Sequence, residues 1–169
     1  MKFDEIMLTY FQGEKIEALV FILPVGILCL IFGAWLLTDN PSPFTRGVMI
    51  PFLIMGLIAS ITGASVGFRT PAQVSRIEQA LAADPASAIA QETQRMEKVN
   101  SAWPFYLAIW ATFGVAGLSL RFATNADFTQ GLGIALVFFA GLGLLIDGFA
   151  ERRARPYSEA LSAWVAEKR

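Results

Sequence analysis

The chain has 169 residues, of which 55% are hydrophobic and 16% are charged, and its formal net charge is -1. This charge balance gives no overall basic field for nucleic acid, and the length leaves no room for a separate soluble catalytic domain. Histidine is absent and Cys29 is the single cysteine, so the commonest metal ligand and general base are missing, and we expect no metal, no cofactor and no catalytic residues.

Four apolar segments dominate the sequence, at 18–37, 48–68, 103–122 and 128–150. Each has 20 to 23 residues and at most one formal charge, which is enough for a helix to cross a hydrocarbon core about 30 Å thick. The sequence therefore predicts an all-α polytopic membrane protein. Residues 1–169 form a single membrane domain, a bundle of four transmembrane helices.

The N-terminal residues 1–17 have the spacing of a short amphipathic helix. Phe3, Met7, Tyr10 and Phe11 lie on one face of this helix, so we expect it to lie at the membrane interface and to run into the first span. Within that span, Pro24 removes a backbone hydrogen bond and predicts a kink.

The connection 69–102 carries two helix-start signals. Thr70 suits a helix cap with Pro71 at the first helical position, and Asp84-Pro85 repeats the pattern. We therefore predict that 69–102 is a cytoplasmic helical hairpin between the second and third spans. Beyond Pro156, the apolar spacing of the tail predicts an interfacial C-terminal helix over 156–168.

The basic residues are distributed unequally across the predicted spans. Eleven of the thirteen Lys and Arg residues lie in the N-terminal segment, the 69–102 connection and the tail. Only Arg46 and Arg121 fall on the opposite side. Because basic residues accumulate in cytoplasmic segments, both chain ends are predicted to be cytoplasmic.

The inner end of the fourth span holds the first candidate site. Asp147 and Glu151 are four residues apart and share one helix face. They predict either a proton or cation relay, with Arg69 as the basic partner, or an ion-pair network that fixes helix ends at the interface. Glu14 and Glu17, at the entrance of the first span, either join this cluster or cap and solvate that helix.

A second candidate site is the basic segment that follows the fourth span. Arg152, Arg153 and Arg155 have the charge to bind anionic lipid headgroups. The positive-inside rule alone also places basic residues at this position, so the segment does not by itself indicate a lipid site.

One apparent enzyme motif is incomplete. The letters "DGFAER" at 147–152 resemble the opening of the metal-binding motif of CDP-alcohol phosphatidyltransferases. That motif continues with further spaced Gly and Asp residues, whereas here the chain continues with Arg, Pro, Tyr and Ser. With no phosphate-binding loop and no nucleophile beside a base, we expect that the protein is not an enzyme.

Two stretches, at 46–81 and 146–161, are similar in sequence to a known protein family. They read "RGVMIPFLIMGLIASITGASVGFRTPAQVSRIEQAL" and "IDGFAERRARPYSEAL", and they resemble a family of small four-span bacterial inner-membrane proteins. The resemblance implies a bacterial inner-membrane location and a helical cytoplasmic connection between spans two and three, but no activity. The positions that match the family's signatures are Arg69 with Pro71, and Asp147 with Glu151, Arg152 and Tyr157.

Three hypotheses for function follow. The first is a non-enzymatic inner-membrane protein that binds another membrane protein, as accessory, assembly or immunity-type factors do. The second is a small oligomeric ion- or proton-coupled transporter or channel that uses Asp147 and Glu151. The third is an anionic-lipid-binding protein. Besides the lipid bilayer, the expected partners are a second membrane protein or another copy of the chain.

Overall fold

The computed structural model describes residues 3–38 and 40–167, and these residues contain helices and no strands. The chain order is α1 (Phe3–Ile16), a π-helical turn (Glu17–Ile22), α2 (Leu23–Trp35), α3 (Pro43–Ala83), α4 (Pro85–Ala123) and α5 (Asp127–Glu167). Helix α1, the π-helical turn and α2 form one continuous rod, so the fold consists of four long helices.

All four helices are long and apolar enough to span a membrane. The all-helical prediction with four such helices is therefore confirmed. The helices α3 and α5 each have 41 residues, which corresponds to about 60 Å, or about twice the thickness of a hydrocarbon core. Each helix therefore extends well beyond its apolar segment.

The polar segments continue the apolar helices, so the predicted helix start at Thr70 and a separate tail helix after Pro156 are not supported. Helix α3 runs without a break past Thr70 and Pro71, and the Thr70 hydroxyl donates to the carbonyl of Val66 instead of capping a new helix. Helix α5 likewise continues through Pro156. The helix predicted to start at Pro85 is α4, and it runs on into the third apolar segment. The segment 69–102 thus consists of the C-terminal end of α3, the Asp84 turn and the N-terminal part of α4. Residues 156–167 are the C-terminal end of α5. Position 168 of the predicted tail helix lies outside the described residues.

Asp84 forms the turn between α3 and α4, as its Asp-Pro pair predicted. Its backbone is extended, and its carboxylate accepts hydrogen bonds from the N–H groups of Ala86 and Ser87 at 3.1 and 3.2 Å. These bonds satisfy two of the free donors of the first turn of α4. The chain therefore reverses direction over a single residue.

The predicted irregularity in the first span lies just before Pro24. Residues Glu17–Ile22 are π-helical, and the N–H of Leu23 donates to the carbonyl of Ala18, five residues earlier. A proline prevents the regular hydrogen bond to the fourth residue before it. The wider π-helical turn accommodates this loss where α1 passes into α2.

Glycines allow close contact between the apolar segments. A Cβ atom at Gly26 would lie 2.5 Å from the backbone nitrogen of Ser60, and one at Gly117 would lie 2.7 Å from the carbonyl oxygen of Gly133. These distances are too short for a side chain, so α2 packs against α3, and α4 against α5, backbone to backbone.

Outside the apolar segments the helices form what we call the terminal bundle, residues 3–17, 69–83, 85–102 and 151–167. All of the largest fully buried side chains lie here: Met7, Phe11, Ile89, Met96, Tyr157 and Leu161. Val74, Ile77 and Leu81 of α3 pack against this core. The start of α1, the end of α5 and the Asp84 turn therefore lie at one end of the molecule.

The apolar segments are packed unevenly. Helix α5 contacts both α3 and α4, whereas α4 has few contacts with α3. In the most apolar 18-residue stretch of α4, only 6% of the residues are buried. A groove therefore separates the apolar parts of α3 and α4.

Candidate functional site

The groove between α3 and α4 forms an apolar cavity. Its volume is about 520 Å³, within the range of cavities that hold small molecules. Helices α2, α3, α4 and α5 all contribute to its wall. Representative lining residues are Cys29, Ala59, Val66, Tyr106, Trp110 and Asp147. We call this cavity the apolar groove.

Asp147 is the one charged residue of the groove wall. The indole Nε1 of Trp110 donates a hydrogen bond to its Oδ2 atom. Asp147 and Trp110 also line a smaller cavity of about 240 Å³, beside Leu107, Leu144 and Glu151. The carboxylate therefore lies between two cavities, with a neutral donor as its partner.

The predicted cluster around Asp147 is not brought together by hydrogen bonds or ion pairs among the described residues. Glu151 accepts a hydrogen bond of 2.8 Å from Arg155 of its own helix, and both side chains are exposed. Arg69 lines a different cavity. Asp147 is bonded to an indole and has no ion pair with Arg69.

Glu17 and Arg153 form an ion pair between the N-terminal rod and α5. The Arg153 side chain lies against Gly13, where any side chain would overlap its Cδ atom. The headgroup contacts predicted for Arg153 and Arg155 therefore compete with the carboxylates of Glu17 and Glu151. Arg152 is exposed.

Glu14 lies one turn before Glu17, outside the apolar segment 18–37. Its Oε2 atom is buried and has no hydrogen-bond partner among residues 3–38 and 40–167. Burial raises the pKa of this carboxyl, and the charges of Arg95, Arg69 and Arg153 oppose that rise. Glu14 is thus surrounded by arginines without being directly bonded to one.

The most connected polar group of the terminal bundle is one that the sequence did not identify. Glu92 is 7% exposed and accepts a hydrogen bond from the Tyr157 hydroxyl at 2.9 Å. It also accepts hydrogen bonds from Arg95: Nε lies 3.0 Å from Oε1 and 2.9 Å from Oε2, and Nη2 lies 2.6 Å from Oε1. The Arg95 guanidinium lies 5.9 and 5.5 Å from the ring centres of Tyr10 and Phe11. The Glu92–Arg95 pair of α4 therefore contacts both α5, through Tyr157, and α1, through Tyr10 and Phe11.

A signal for this group was present in the sequence. Ile89, Glu92, Met96 and Val99 are spaced by three, four and three residues, so the glutamate lies on the apolar stripe of α4. A carboxylate at such a position needs a buried partner. Tyr157, which the resemblance pointed to, is that partner.

A second cavity, of about 490 Å³, lies between α3 and α4 in the terminal bundle. Its charged lining consists of Arg69, Arg76, Arg95 and Glu92, and Gln73 and Gln91 also line it. Arg69 and Arg76 are exposed, and neither has an ion pair within the described ranges. We call this cavity the arginine cleft.

Residues 3–38 and 40–167 contain no group of three or more His, Cys, Asp or Glu side chains that could hold a metal ion. The fold and the cavities define an all-helical protein whose four apolar helices could span a membrane, with one apolar and one cationic cavity between the same two helices. Comparisons with protein-family models, curated proteins and solved structures find no match. The resemblance to four-span bacterial proteins therefore stays a prediction.

Proposed function

We propose that this chain is a non-enzymatic integral membrane protein that binds the hydrocarbon part of an amphiphilic ligand in its apolar groove. The observation that carries this proposal is the groove itself, a cavity of about 520 Å³ with walls from α2, α3, α4 and α5. Such a cavity at membrane depth is filled by apolar chains, because water has few hydrogen-bond partners there.

The proposal includes an orientation. Eleven of the thirteen basic residues lie at the end of the molecule that holds the terminal bundle or in the adjoining chain ends, so this end faces the cytoplasm by the positive-inside rule. For a bacterial protein the membrane is the inner one. A reporter fused after the last residue tests this: cytoplasmic signal supports the orientation, and periplasmic signal contradicts it.

The transporter hypothesis has less support. Asp147 is hydrogen-bonded to Trp110, and Glu151 is paired with the exposed Arg155, so the two carboxylates do not act as a pair. Coupled transport sites usually combine several polar groups near the middle of the membrane. A proteoliposome assay in which ion flux is present and is lost in Asp147→Asn would favour transport over ligand binding.

Binding of another membrane protein is the second candidate. The outer face of α4 is favourable for it, because Phe105, Val115 and Phe122 are 65%, 67% and 77% exposed. Side chains that face lipid have the same exposure, however, so this face identifies no partner. The groove, in contrast, is concave and has a defined volume.

Photo-crosslinking tests the proposed function. The full-length protein is reconstituted with a phospholipid that carries a diazirine near the end of one acyl chain, and the crosslinked residues are mapped by mass spectrometry. We expect crosslinks concentrated at Cys29, Met55 and Ala59 in the groove, above the level at Phe105 and Val115 on the outer face of α4.

Two matched variants provide the control. Ala59→Phe fills the groove and is expected to reduce the groove crosslinks several-fold. Ala108→Phe adds the same side chain at an exposed position of α4 that is not among the groove residues, and it should leave the pattern unchanged. Uniform labelling around all four helices, or equal effects of the two variants, would overturn the proposal.

A further inference from the structure

We infer that the arginine cleft binds the phosphate headgroup of an anionic phospholipid whose acyl chain lies in the apolar groove. This inference rests on the proposed function and specifies the ligand class for it. The terminal-bundle side of the bilayer supplies the lipid.

The two cavities follow each other along the axes of α3 and α4. Val66 lines the apolar groove and Arg69 lines the arginine cleft, and three helical residues correspond to about 4.5 Å along α3. On α4, Trp103 lines the groove and Arg95 the cleft. The short separation matches the length of a single molecule with an apolar chain and a charged head.

The depth of the arginines matches the position of lipid phosphates. The apolar segment of α3 ends at residue 68, so Arg69 lies at the boundary of the hydrocarbon core. The headgroup layer extends roughly 5 to 8 Å beyond that boundary on each side. Arg76 is seven residues further on the same helix face, about 10 Å away. The headgroup layer therefore lies between the levels of Arg69 and Arg76 along α3.

The cleft has an excess of positive charge. Arg95 is neutralised by its hydrogen-bonded partner Glu92, and the nearby carboxylate of Glu14 interacts with Arg69 at longer range. Arg76 forms no ion pair in residues 3–38 and 40–167. Guanidinium groups bind phosphate oxygens with paired hydrogen bonds, and the Gln73 and Gln91 amides that line the cleft are additional donors.

The same geometry separates these arginines from the basic segment 152–155. Arg153 is held by Glu17 and Arg155 by Glu151, and neither lines the cleft. A lipid headgroup in the cleft would meet Arg69 and Arg76, which have no competing ion pair. The structure thus assigns the headgroup contact to α3 and not to the end of α5.

The test measures lipid retention in nanodiscs that contain zwitterionic phosphatidylcholine and a minor fraction of anionic phosphatidylglycerol with the same acyl chains. After mild detergent release, native mass spectrometry counts the lipid molecules that stay bound to the full-length protein. We expect the wild-type protein to retain phosphatidylglycerol preferentially over phosphatidylcholine.

Arg76→Gln is the main variant, because its side chain is exposed and its loss does not disturb the buried core. We expect it to lower the apparent affinity for phosphatidylglycerol about fivefold, which corresponds to ~1 kcal/mol for one headgroup contact. Arg69→Gln should have a similar effect. The matched controls Arg152→Gln and Arg155→Gln remove the same charge outside the cleft and should leave the preference unchanged.

Inorganic phosphate distinguishes a lipid site from a simple anion site. If free phosphate displaces phosphatidylglycerol when the two are equimolar, the cleft recognises the anion without the chain, and the inference is overturned. Equal losses in the cleft variants and the control variants would also overturn it, because they would show a general charge effect.

Failure of the inference and failure of the proposed function give different results. If groove crosslinks persist with phosphatidylcholine while no anionic preference is found, the groove proposal stands and the headgroup assignment is wrong. If the groove crosslinks are absent as well, both proposals are wrong.

Discussion

The hydroxyl of Tyr157 on α5 donates a hydrogen bond to Glu92 on α4, and both side chains lie in the core of the terminal bundle. Burial and the adjacent Glu92 charge raise the pKa of this phenol, so it stays protonated and remains a donor. The bond joins two helices at residues 65 positions apart in sequence. It therefore fixes the register of α4 and α5 outside the apolar segments.

Tyr157→Phe should destabilise the terminal bundle. The variant keeps the ring and its stacking on Tyr10, but it removes a hydrogen bond to a buried carboxylate, which contributes about 1.5 to 3 kcal/mol. The apparent unfolding midpoint in detergent measures this effect. Tyr106→Phe, at an exposed tyrosine, is the control, and equal shifts in the two variants would contradict the prediction.

Glu14 should make stability depend on pH. Its pKa is raised above the ordinary value of 4.5, so the folded state holds this proton more tightly than the unfolded state does. The contribution of Glu14 to stability is therefore fully present below about pH 4.5 and is lost as pH rises through the folded-state pKa. The charged groups that act on it are Arg95, Arg69, Arg153 and Glu17.

Glu14→Gln tests this pH dependence. The amide cannot ionise, so we expect the variant to be more stable than the wild-type protein at neutral pH and to lose less stability between pH 4.5 and neutrality. Glu17→Gln removes the partner of Arg153 and should destabilise at neutral pH instead. A pH profile that is identical in Glu14→Gln and wild type would show that Glu14 does not titrate in this range.

Gly117→Ala should weaken the packing of α4 on α5. The added methyl group would lie 2.7 Å from the Gly133 carbonyl oxygen, and overpacking of this kind costs about 1 to 3 kcal/mol. Gly141→Ala on α5 is the matched control, because nothing lies within 4 Å of its added atom. Thermal unfolding in the same detergent should show a lower midpoint for Gly117→Ala alone.

Trp110→Phe should lower the stability of the protein more than Asp147→Asn does. Removal of the indole leaves the half-buried Asp147 carboxylate without its donor, and a fully buried acceptor left unsatisfied costs about 1 to 3 kcal/mol, which is an upper range for this site. Asparagine keeps an acceptor oxygen for the indole and carries no charge. In the double variant the loss should be smaller than in Trp110→Phe, as measured by a double-mutant cycle of unfolding midpoints.

The positions of the four apolar helices were predictable, because a run of about 20 apolar residues has few structural alternatives. The helix boundaries in the polar segments were less predictable. A proline after a capping residue is compatible with a helix start at Asp84 and with helix continuation at Thr70, and local sequence does not distinguish the two. At Thr70 the hydroxyl bonds within the helix, to Val66, and α3 continues.

The candidate sites were predictable only as single residues. Helix periodicity places Glu92 on an apolar stripe and Asp147 on a face with Glu151, but it does not determine which side chain of a neighbouring helix lies opposite. Which side chains face each other depends on the axial register and the rotation of the two helices. Inside the apolar segments, glycine contacts such as Gly117 with Gly133 determine both. The pairs Tyr157–Glu92 and Trp110–Asp147 therefore required the three-dimensional arrangement.

The continuity of α3 and α4 across their apolar and polar parts has a mechanical consequence. A helix of about 60 Å that tilts by roughly 5° about its midpoint moves each end by about 3 Å. Since the groove and the cleft are bounded by the same two unbroken helices, a molecule that pushes these helices apart at one level also changes their spacing at the other. If the proposed ligand occupies the apolar groove, its size would therefore also set the position of the Asp84 turn, where α3 and α4 meet.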